Sequence, residues 1–410
     1  MILHLFEGFG IELEYMIVHS ETLNVAPFSD YLLHAVSGVY ESEVEMGPLN
    51  WSNELVLHVI ELKTNGPAAK LDDLPDKFAH VVQRINDILN FYNIQLLPTA
   101  MHPWMNPMKE TRLWPHEYNA VYEAYNRIFG CQGHGWSNLQ SLHINLPFAD
   151  DDEFGKLHAA IRVVLPVLPA LAASSPVMDG KVTGKLDNRL FAYKDNQKRV
   201  PSLAGNVIPE PLYTRGDYEE KLLQQLYRDI APFDDDDILK HEWLNSRGAI
   251  ARFDRNTIEI RVIDIQECPL ADLAITAAIV ELLKALIAER WCKLTEIMAF
   301  PTEILADILT ATIDQADAAM IAHPRYLELF GMNKPTCTAG ELWSSVYELE
   351  LQPRLTSLWR VPLEKILQSG PLSRRILRAI GEDTSHAHLL EVYRQLSNCP
   401  AENRLFDGLK

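Results

Sequence analysis

The run GIELEY places Glu12 and Glu14 two residues apart, between Ile11, Leu13 and Tyr15. Alternate side chains of a strand point to opposite faces, so both carboxylates share one face and the apolar residues the other. A half-exposed strand with a solvated glutamate face gives the same pattern. Three further strand-like runs carry comparable residues. In ELVLHVIELKT, strict alternation sets Leu55, Leu57, Val59 and Glu61 on one face. Glu54 falls on the other with Val56 and His58, and joins Glu61 only through a bulge or from the strand's lead-in. A carboxylate among apolar neighbours needs a cation, a metal or a raised pKa, because unpaired burial costs on the order of several kcal/mol. The bland alternative is a lone Glu61 that reaches solvent beside Lys63. In SLHINLPF, Ser141, His143 and Asn145 form the polar face, where a hydrogen-bonded structural histidine is the bland alternative. In TIEIRVID, Glu259 and Arg261 share a face, as a cross-strand ion pair also would. Together, these strands offer Glu, His or Arg on one face. An oxygen-rich set with one histidine suits Mg²⁺ or Mn²⁺, whose remaining ligands are usually water and nucleotide phosphates. Arg261 beside such a set could neutralise a transferred phosphoryl group.

Competing motifs fail. Gly8 and Gly10 start a G-x-G, but Leu13 stands at the third glycine position. HEYNA and HEWLN lack the second histidine of H-E-x-x-H. GKVTGKL (180–186) has its glycines one residue too close for a P-loop, and Leu186 follows Lys185. No G-x-S-x-G occurs.

The elements that must position these residues read as follows. Residues 1–20 form a strand, 37–53 a loop around Gly38, Gly47 and Pro48, and 54–64 a second strand closed by Asn65, Gly66 and Pro67. Residues 71–93 form an amphipathic helix with Pro75 in its first turn. IQLLPTAMHP is a strand leading into a loop, and WPHEYNAVYEAYNRIFG a helix closed by Gly130. Residues 139–148 and 256–265 are strands. The helix after residue 150 is broken by Pro166 and Pro169. Residues 176–217 form a long functional loop region, DDDD (234–237) a solvated turn or helix start, and the chain beyond residue 270 is nearly all helix. The strands alternate polar and apolar, unlike a sheet buried on both faces. An α+β protein is therefore expected, with helices on one sheet face and a polar cleft on the other.

Composition sets outer bounds. The 410 residues are 47% hydrophobic and 23% charged, ordinary for a globular protein, with a formal net charge of -19. That charge argues against a nucleic-acid surface and admits anionic substrates only where basic groups or metal ions offset it. Five scattered cysteines without a C-x-x-C suggest a reduced, cytoplasmic setting. No basic region followed by a long apolar run opens the chain, so no signal peptide is expected. PLADLAITAAIVELLKALIAERW contains Asp272, Glu281 and Lys284 and reads as a largely buried helix, not a membrane span.

The order of GIELEY, ELVLHVIELKT, TAMHPW, SLHINLPF, ASSP, DNRLFAYKDNQKRVPSLAG and TIEIRVID over roughly residues 4–290 resembles the glutamate–cysteine ligase superfamily, in its carboxylate–amine ligase branch (glutamate–cysteine ligase family 2). The resemblance implies a glutamine-synthetase-like fold, a curved antiparallel sheet forming a funnel with helices packed outside. It implies ATP-dependent amide formation: ATP phosphorylates a substrate carboxylate, and an amine attacks the acyl phosphate. Mg²⁺, with Mn²⁺ as the alternative, would bridge phosphates and protein carboxylates. On matching positions, Glu12 and Glu14 correspond to paired metal-binding glutamates, and Glu54 and Glu61 to a second acidic pair. His143 corresponds to the histidine facing the metals, Glu259 to a late metal ligand, and Arg261 to the arginine contacting the transferred phosphate. Arg252 resembles an upstream arginine across a shortened loop. Arg189 and Lys185 are candidates for anionic substrate or nucleotide phosphate groups.

Many carboxylate–amine ligases carry H-x-H where this chain has Ser141-Leu-His143, and His143-Ile-Asn145 is closer to the glutathione-pathway enzymes. The amine therefore stays open, with glutamate as the expected carboxylate donor and cysteine the leading amine. Residues 1–298 are expected to be the catalytic core and 299–410 a helical region packed on it, with a lid or homo-oligomer contact as the functional alternative. Partners are small-molecule amino acids and amines. A guanidino-type phosphotransferase and a non-catalytic ligand-binding protein on the same fold are the competing functions.

Overall fold

The alternation around Glu12 becomes strand β1 (Gly10–His19) in the computed structural model of the protein, which describes residues 2–408. It is joined by β2 (Glu43–Glu45), β3 (Leu49–Asn53), β4 (Val59–Thr64), β5 (Ile94–Leu97) and β6 (Ser141–Pro147). The hairpin of β7 (Val177–Met178) and β8 (Lys181–Val182) lies apart, while β9 (Ala249–Arg252) and β10 (Thr257–Asp264) complete the main sheet. The eight-stranded sheet runs β2-β3-β4-β1-β6-β10-β9, with β5 paired to the second half of β1. Every pairing is antiparallel. The fold is thus mixed α and β around an antiparallel sheet.

One face of that sheet is the core. Ile11, Leu13, Tyr15, Ile60, Leu62, Leu142, Ile144, Ile258 and Ile260 are fully or almost fully buried in one apolar cluster. The cluster includes the inward faces of helices Pro75–Asn90, Asp151–Val164 and Pro269–Ile287. The last of these is the apolar segment predicted to be a buried helix. No helix among the described residues is long and apolar enough to cross a membrane.

Several sequence-based boundaries shift. β1 starts only at Gly10, because residues 2–9 are an irregular lead-in. Gly10 is required there: a Cβ would lie 2.8 Å from Cβ of Asn145 on the neighbouring strand. The expected loop over 37–53 instead holds β2 and β3, folded back around Gly47 at φ +84. Val44, Leu49 and Trp51 face the core, and Glu43, Glu45, Asn50 and Ser52 share the opposite face. The expected strand over 54–64 starts only at Val59, because Leu57 N donates to Arg112 O and Val56 bridges to Leu113 instead of extending the sheet. Leu55 and Leu57 therefore do not share a strand face with Glu61. The helix expected over 71–93 spans Pro75–Asn90 after a short turn, and the 176–217 region contains the β7–β8 hairpin and a helix, Asn188–Tyr193.

The polar face of β1 changes character along its length. Beyond Glu14 it presents Met16 and Val18, which pack with Leu372 and Ile376 of one C-terminal helix and Leu389, Val392 and Tyr393 of the next. A small antiparallel pair, β11 (Met320–Ile321) with β12 (Cys337–Thr338), interrupts the otherwise helical 299–408 stretch. A buried ion pair ties this stretch to the sheet: Arg375 meets Glu267, which follows β10, at 3% and 0% side-chain exposure. Arg375 also donates to Phe406 O at 3.1 Å, and Phe406 N donates to Glu267 at 3.2 Å. Removing one partner leaves the other charge buried alone. R375M is therefore expected to lower stability in urea unfolding by about 3–5 kcal/mol, with E267L/R375M recovering much of it. A loss under about 1 kcal/mol for R375M would show that the pair does not anchor the segment.

Candidate functional site

Antiparallel register carries the predicted residues to one place. Glu12 lies opposite His143 on β6 and Lys63 on β4, Glu14 lies opposite Glu61, and Glu259 on β10 lies opposite Asn145. Because these pairs are directly opposed on the non-core face, their side chains converge. Glu14, Glu61, His143 and Glu259 are buried and Glu12 is partly buried.

Two groups of donors overlap at His143. Glu12, His143 and Glu259 form one and Glu14, Glu61 and His143 the other, each with ligand atoms within 4.8 Å of one another. His143 Nδ1 is 2.8 Å from Glu12 Oε2 and 3.9 Å from Glu259 Oε1, while Nε2 is 3.8 Å from Glu14 Oε1. Hydrogen bonds fix the carboxylates around it. Ser141 donates from N and Oγ to Glu14 Oε2 at 2.7 and 2.9 Å, Asn145 Nδ2 to Glu12 Oε1 at 3.0 Å, and Ser52 Oγ to Glu61 Oε1 at 2.6 Å. Arg261 Nε sits 3.1 Å from Glu259 Oε1, and Arg252 Nη1 3.6 Å from Glu259 Oε2. Four carboxylates with a single imidazole form a hard donor set, which fits Mg²⁺ or Mn²⁺ and does not resemble a closed thiolate or multi-histidine zinc site.

The electrostatics are those of a crowded acidic site. Burial pulls Glu12 upward, but the hydrogen bond and charge of His143, with Lys63 and Arg261, outweigh it and hold Glu12 at about 2. Burial likewise pulls His143 down, yet Glu12, Glu14 and Glu259 raise it to about 9. Burial and the Glu12 charge lift Glu61 to about 7 against Lys63 and Ser52. Glu54 joins from the lead-in to β4: it lies off the strand, and burial with the Glu14 and Glu61 charges pushes its carboxyl well above the usual range.

Two cavities open on this face. The larger, about 580 Å³, includes Glu12, Glu43, Asn50, Lys63, Asn145 and Arg255 in its lining. The smaller, about 210 Å³, is lined by Glu14, Glu54 and His143 together with the aromatic side chains of Tyr122, Trp136 and Trp243. Arg261 and Arg189 also line the smaller one, but Arg189 is committed to Asp264, Nε to Oδ1 at 2.7 Å and nearly sealed from solvent. Its Nη2 donates to Arg261 O at 3.3 Å, so Arg189 fixes the backbone that carries Arg261. Lys185 is not brought to the site. Its Nζ lies 2.5 Å from Asp314 Oδ1 and over the Phe191 ring, and it lines neither cavity. Sequence reasoning missed Ser52, Asn50 and the aromatic wall. The alternation of Glu43 to Ser52 around Gly47 is the signal that could have found the first two.

The family model described as Glutamate-cysteine ligase family 2 (GCS2) matches residues 8–394. An uncharacterized protein of Archaeoglobus fulgidus is 31% identical over 389 residues, covering 95% of this chain and 97% of its own length. With a relative from Bradyrhizobium sp. (strain ORS 278), 24% identical over 283 residues, the match spans 66% of this chain and 59% of that protein. The fold is similar to the glutamate–cysteine ligase of Francisella tularensis in complex with AMP, at TM-score 0.58 and 13% identity over 95% of this chain and 88% of that one. A bifunctional glutathione synthetase of Pasteurella multocida gives TM-score 0.56 and 15% identity over 97% and 52%.

At such a donor set protons would compete with a metal ion for the same atoms, because carboxylate and imidazole must be deprotonated to ligate. Glu61 near 7 and His143 near 9 are both raised, so around neutrality Glu61 is partly and His143 largely protonated, and a metal ion would have to displace those protons. Mn²⁺ affinity is therefore expected to rise between pH 6 and pH 9, with net proton release visible as buffer-dependent heat in calorimetry. Affinity independent of pH across that window would exclude these two groups as ligands.

Proposed function

The chain belongs to glutamate-cysteine ligase family 2, and from that premise we propose that the clustered carboxylates hold divalent metal against ATP to activate a carboxylate for amide formation. The family makes the protein an ATP-dependent carbon–nitrogen ligase. The observation that carries the finer reading is the convergence of Glu12, Glu14, Glu61, Glu259 and His143 on one sheet face between two cavities. In this reading the larger cavity takes the nucleotide, being within the usual range for such ligands, and the smaller takes the acid and amine. The cavities are then the two mouths of a glutamine-synthetase-like funnel. Residues 1–298 supply the chemistry and 299–410 brace it.

A carboxylate is a poor electrophile at neutral pH, so a leaving group must be installed. A carboxylate oxygen attacks the γ-phosphorus, the bond from phosphorus to the β–γ bridging oxygen breaks, and ADP leaves. The amine nitrogen then attacks the acyl carbon, the carbon–oxygen bond to phosphate breaks, and phosphate and a proton depart. Bound Mg²⁺ or Mn²⁺ would neutralise phosphate charge and help set the reacting oxygens in line. Glu12, His143 and Glu259 would hold one ion and Glu14, Glu61 and His143 another, with Glu54 nearby.

The remaining residues follow from their contacts. Arg261, held by Glu259, meets charge on the transferred phosphoryl group. Arg252 adds positive charge behind Glu259. Arg189 acts by positioning Arg261 and not by touching phosphate. The most economical substrate pair is the glutamate γ-carboxyl with cysteine or another small amine. No observation favours the guanidino-phosphotransferase or the purely ligand-binding reading.

Hydroxylamine tests the activation step without choosing an amine. Glutamate, ATP and Mg²⁺ are expected to give ADP and a γ-hydroxamate. E12Q and E259Q should each lower kcat/KM by about a hundredfold or more, about 2.7 kcal/mol of transition-state stabilisation. If no carboxylate in a broad panel supports hydroxamate formation, activation as an acyl phosphate is wrong.

A further inference from the structure

Lys63 lies on the reacting face of β4, directly opposite Glu12 in register, and lines the larger cavity. Its Nζ is 2.6 Å from Glu43 Oε2 and 3.4 Å from Glu61 Oε1. Glu43 is itself steadied by Asn50, whose Nδ2 donates to Oε1 at 2.6 Å. Three glutamates, Glu12, Glu43 and Glu45, line this cavity, and its cationic side chains are Lys63 and Arg255. Arg255 sits at the rim, 60% exposed and near Asp254. A triphosphate entering so acidic a space needs compensation beyond the metal ions, and Lys63 is the cation between the cavity and the carboxylate cluster.

We propose that Lys63 binds the terminal phosphates of the nucleotide, and that Glu43 is a counter-ion which occupies Lys63 until the nucleotide displaces it. The inference rests on reading the larger cavity as the nucleotide's. Geometry supports an exchange of partners. A lysine ammonium has three donors on a flexible stem, and Glu61 relinquishes its share of Lys63 when it turns to a metal ion. The 42% exposed Glu43 side chain can return to water, so releasing Lys63 from it costs little. A purely structural Lys63, present only to neutralise Glu43 and Glu61, uses the same contacts. The two roles differ in the sign of one substitution.

If Glu43 competes with phosphate, E43Q tightens the triphosphate while K63M weakens it. If the pair is only structural, both substitutions weaken it or neither does. The test is calorimetric titration of the full-length protein with Mg²⁺ and the non-hydrolysable triphosphate AMPPNP, alongside AMP. K63M is expected to weaken AMPPNP binding about 10–100-fold, the range for a hydrogen bond to a charged group, with AMP changed less than about threefold. K63R should restore part of the loss, and E43Q should tighten AMPPNP several-fold. Unfolding curves check that each variant is folded, and E43Q keeps the test open should K63M fail to fold. Equal losses for AMPPNP and AMP in K63M, or weaker AMPPNP binding in E43Q, overturn the Lys63 role alone. A wild-type protein that binds no AMPPNP overturns both this role and the nucleotide reading of the cavity.

Discussion

Carboxylates repel one another, and gathering several on a buried sheet face is the constraint on which this protein is organised. Isolated, each would give up its charge to burial. Here the offsets are specific: His143 between Glu12 and Glu14, Arg261 and Arg252 on Glu259, Lys63 against Glu61. Hydroxyl and amide donors from Ser52, Ser141 and Asn145 satisfy remaining lone pairs. The balance is incomplete, since Glu54 and Glu61 are both pushed up toward protonation. Such residual repulsion among like charges is what a bound divalent cation would relieve.

A sheet suits this task better than loops do. Antiparallel pairing fixes which residue faces which, and a one-residue slip would send every glutamate into the core. The opposite face prevents that slip: Ile11, Leu13, Leu62, Leu142 and Ile258 are fully buried. The stability of the apolar core and the geometry of the acidic site are thus two faces of one register. Where β10 passes β6, the register shifts between Ile260 and Ile263, just beyond Glu259. That irregularity surrounds Arg261, whose N donates to Gly248 O at 3.0 Å.

Sequence reasoning reached the parts of the site that depend on local alternation. Glu12 with Glu14, His143 with Asn145 and Glu259 with Arg261 each sit within one regular strand, and the α+β reading with a polar sheet face followed from the same alternation. The buried helix over 269–287 was legible as an apolar run, and the antiparallel pairing was implied by the family resemblance. It misjudged positions where the chain leaves the regular path. Leu55 and Leu57 lie before β4 begins and so do not share a strand face with Glu61, although the lead-in offered for Glu54 is the path the chain takes, and β2 and β3 were hidden by Gly47, Pro48 and two exposed glutamates. Long-range partners were beyond its reach. Arg189 carried a free guanidinium on paper, but Asp264, 75 residues onward, claims it. Lys185 is taken by Asp314, 129 residues away. Periodicity reports the face a side chain occupies and carries no information about which distant charge shares that face.

The apolar half of the glutamate face, Met16 and Val18, has a consequence for how the chain reaches its fold. Its cover comes from Leu372, Ile376 and Leu389, hundreds of residues later. At synthesis rates of about 5–20 residues per second, this strip of the first strand waits on the order of tens of seconds for its partner. Contacts so distant in sequence close late, since loop-closure entropy opposes them until the intervening chain has ordered. The nascent protein therefore exposes a hydrophobic strand surface next to its most acidic one. The neighbouring negative charge of Glu12 and Glu14 is then a guard against strand-to-strand aggregation before it is anything else.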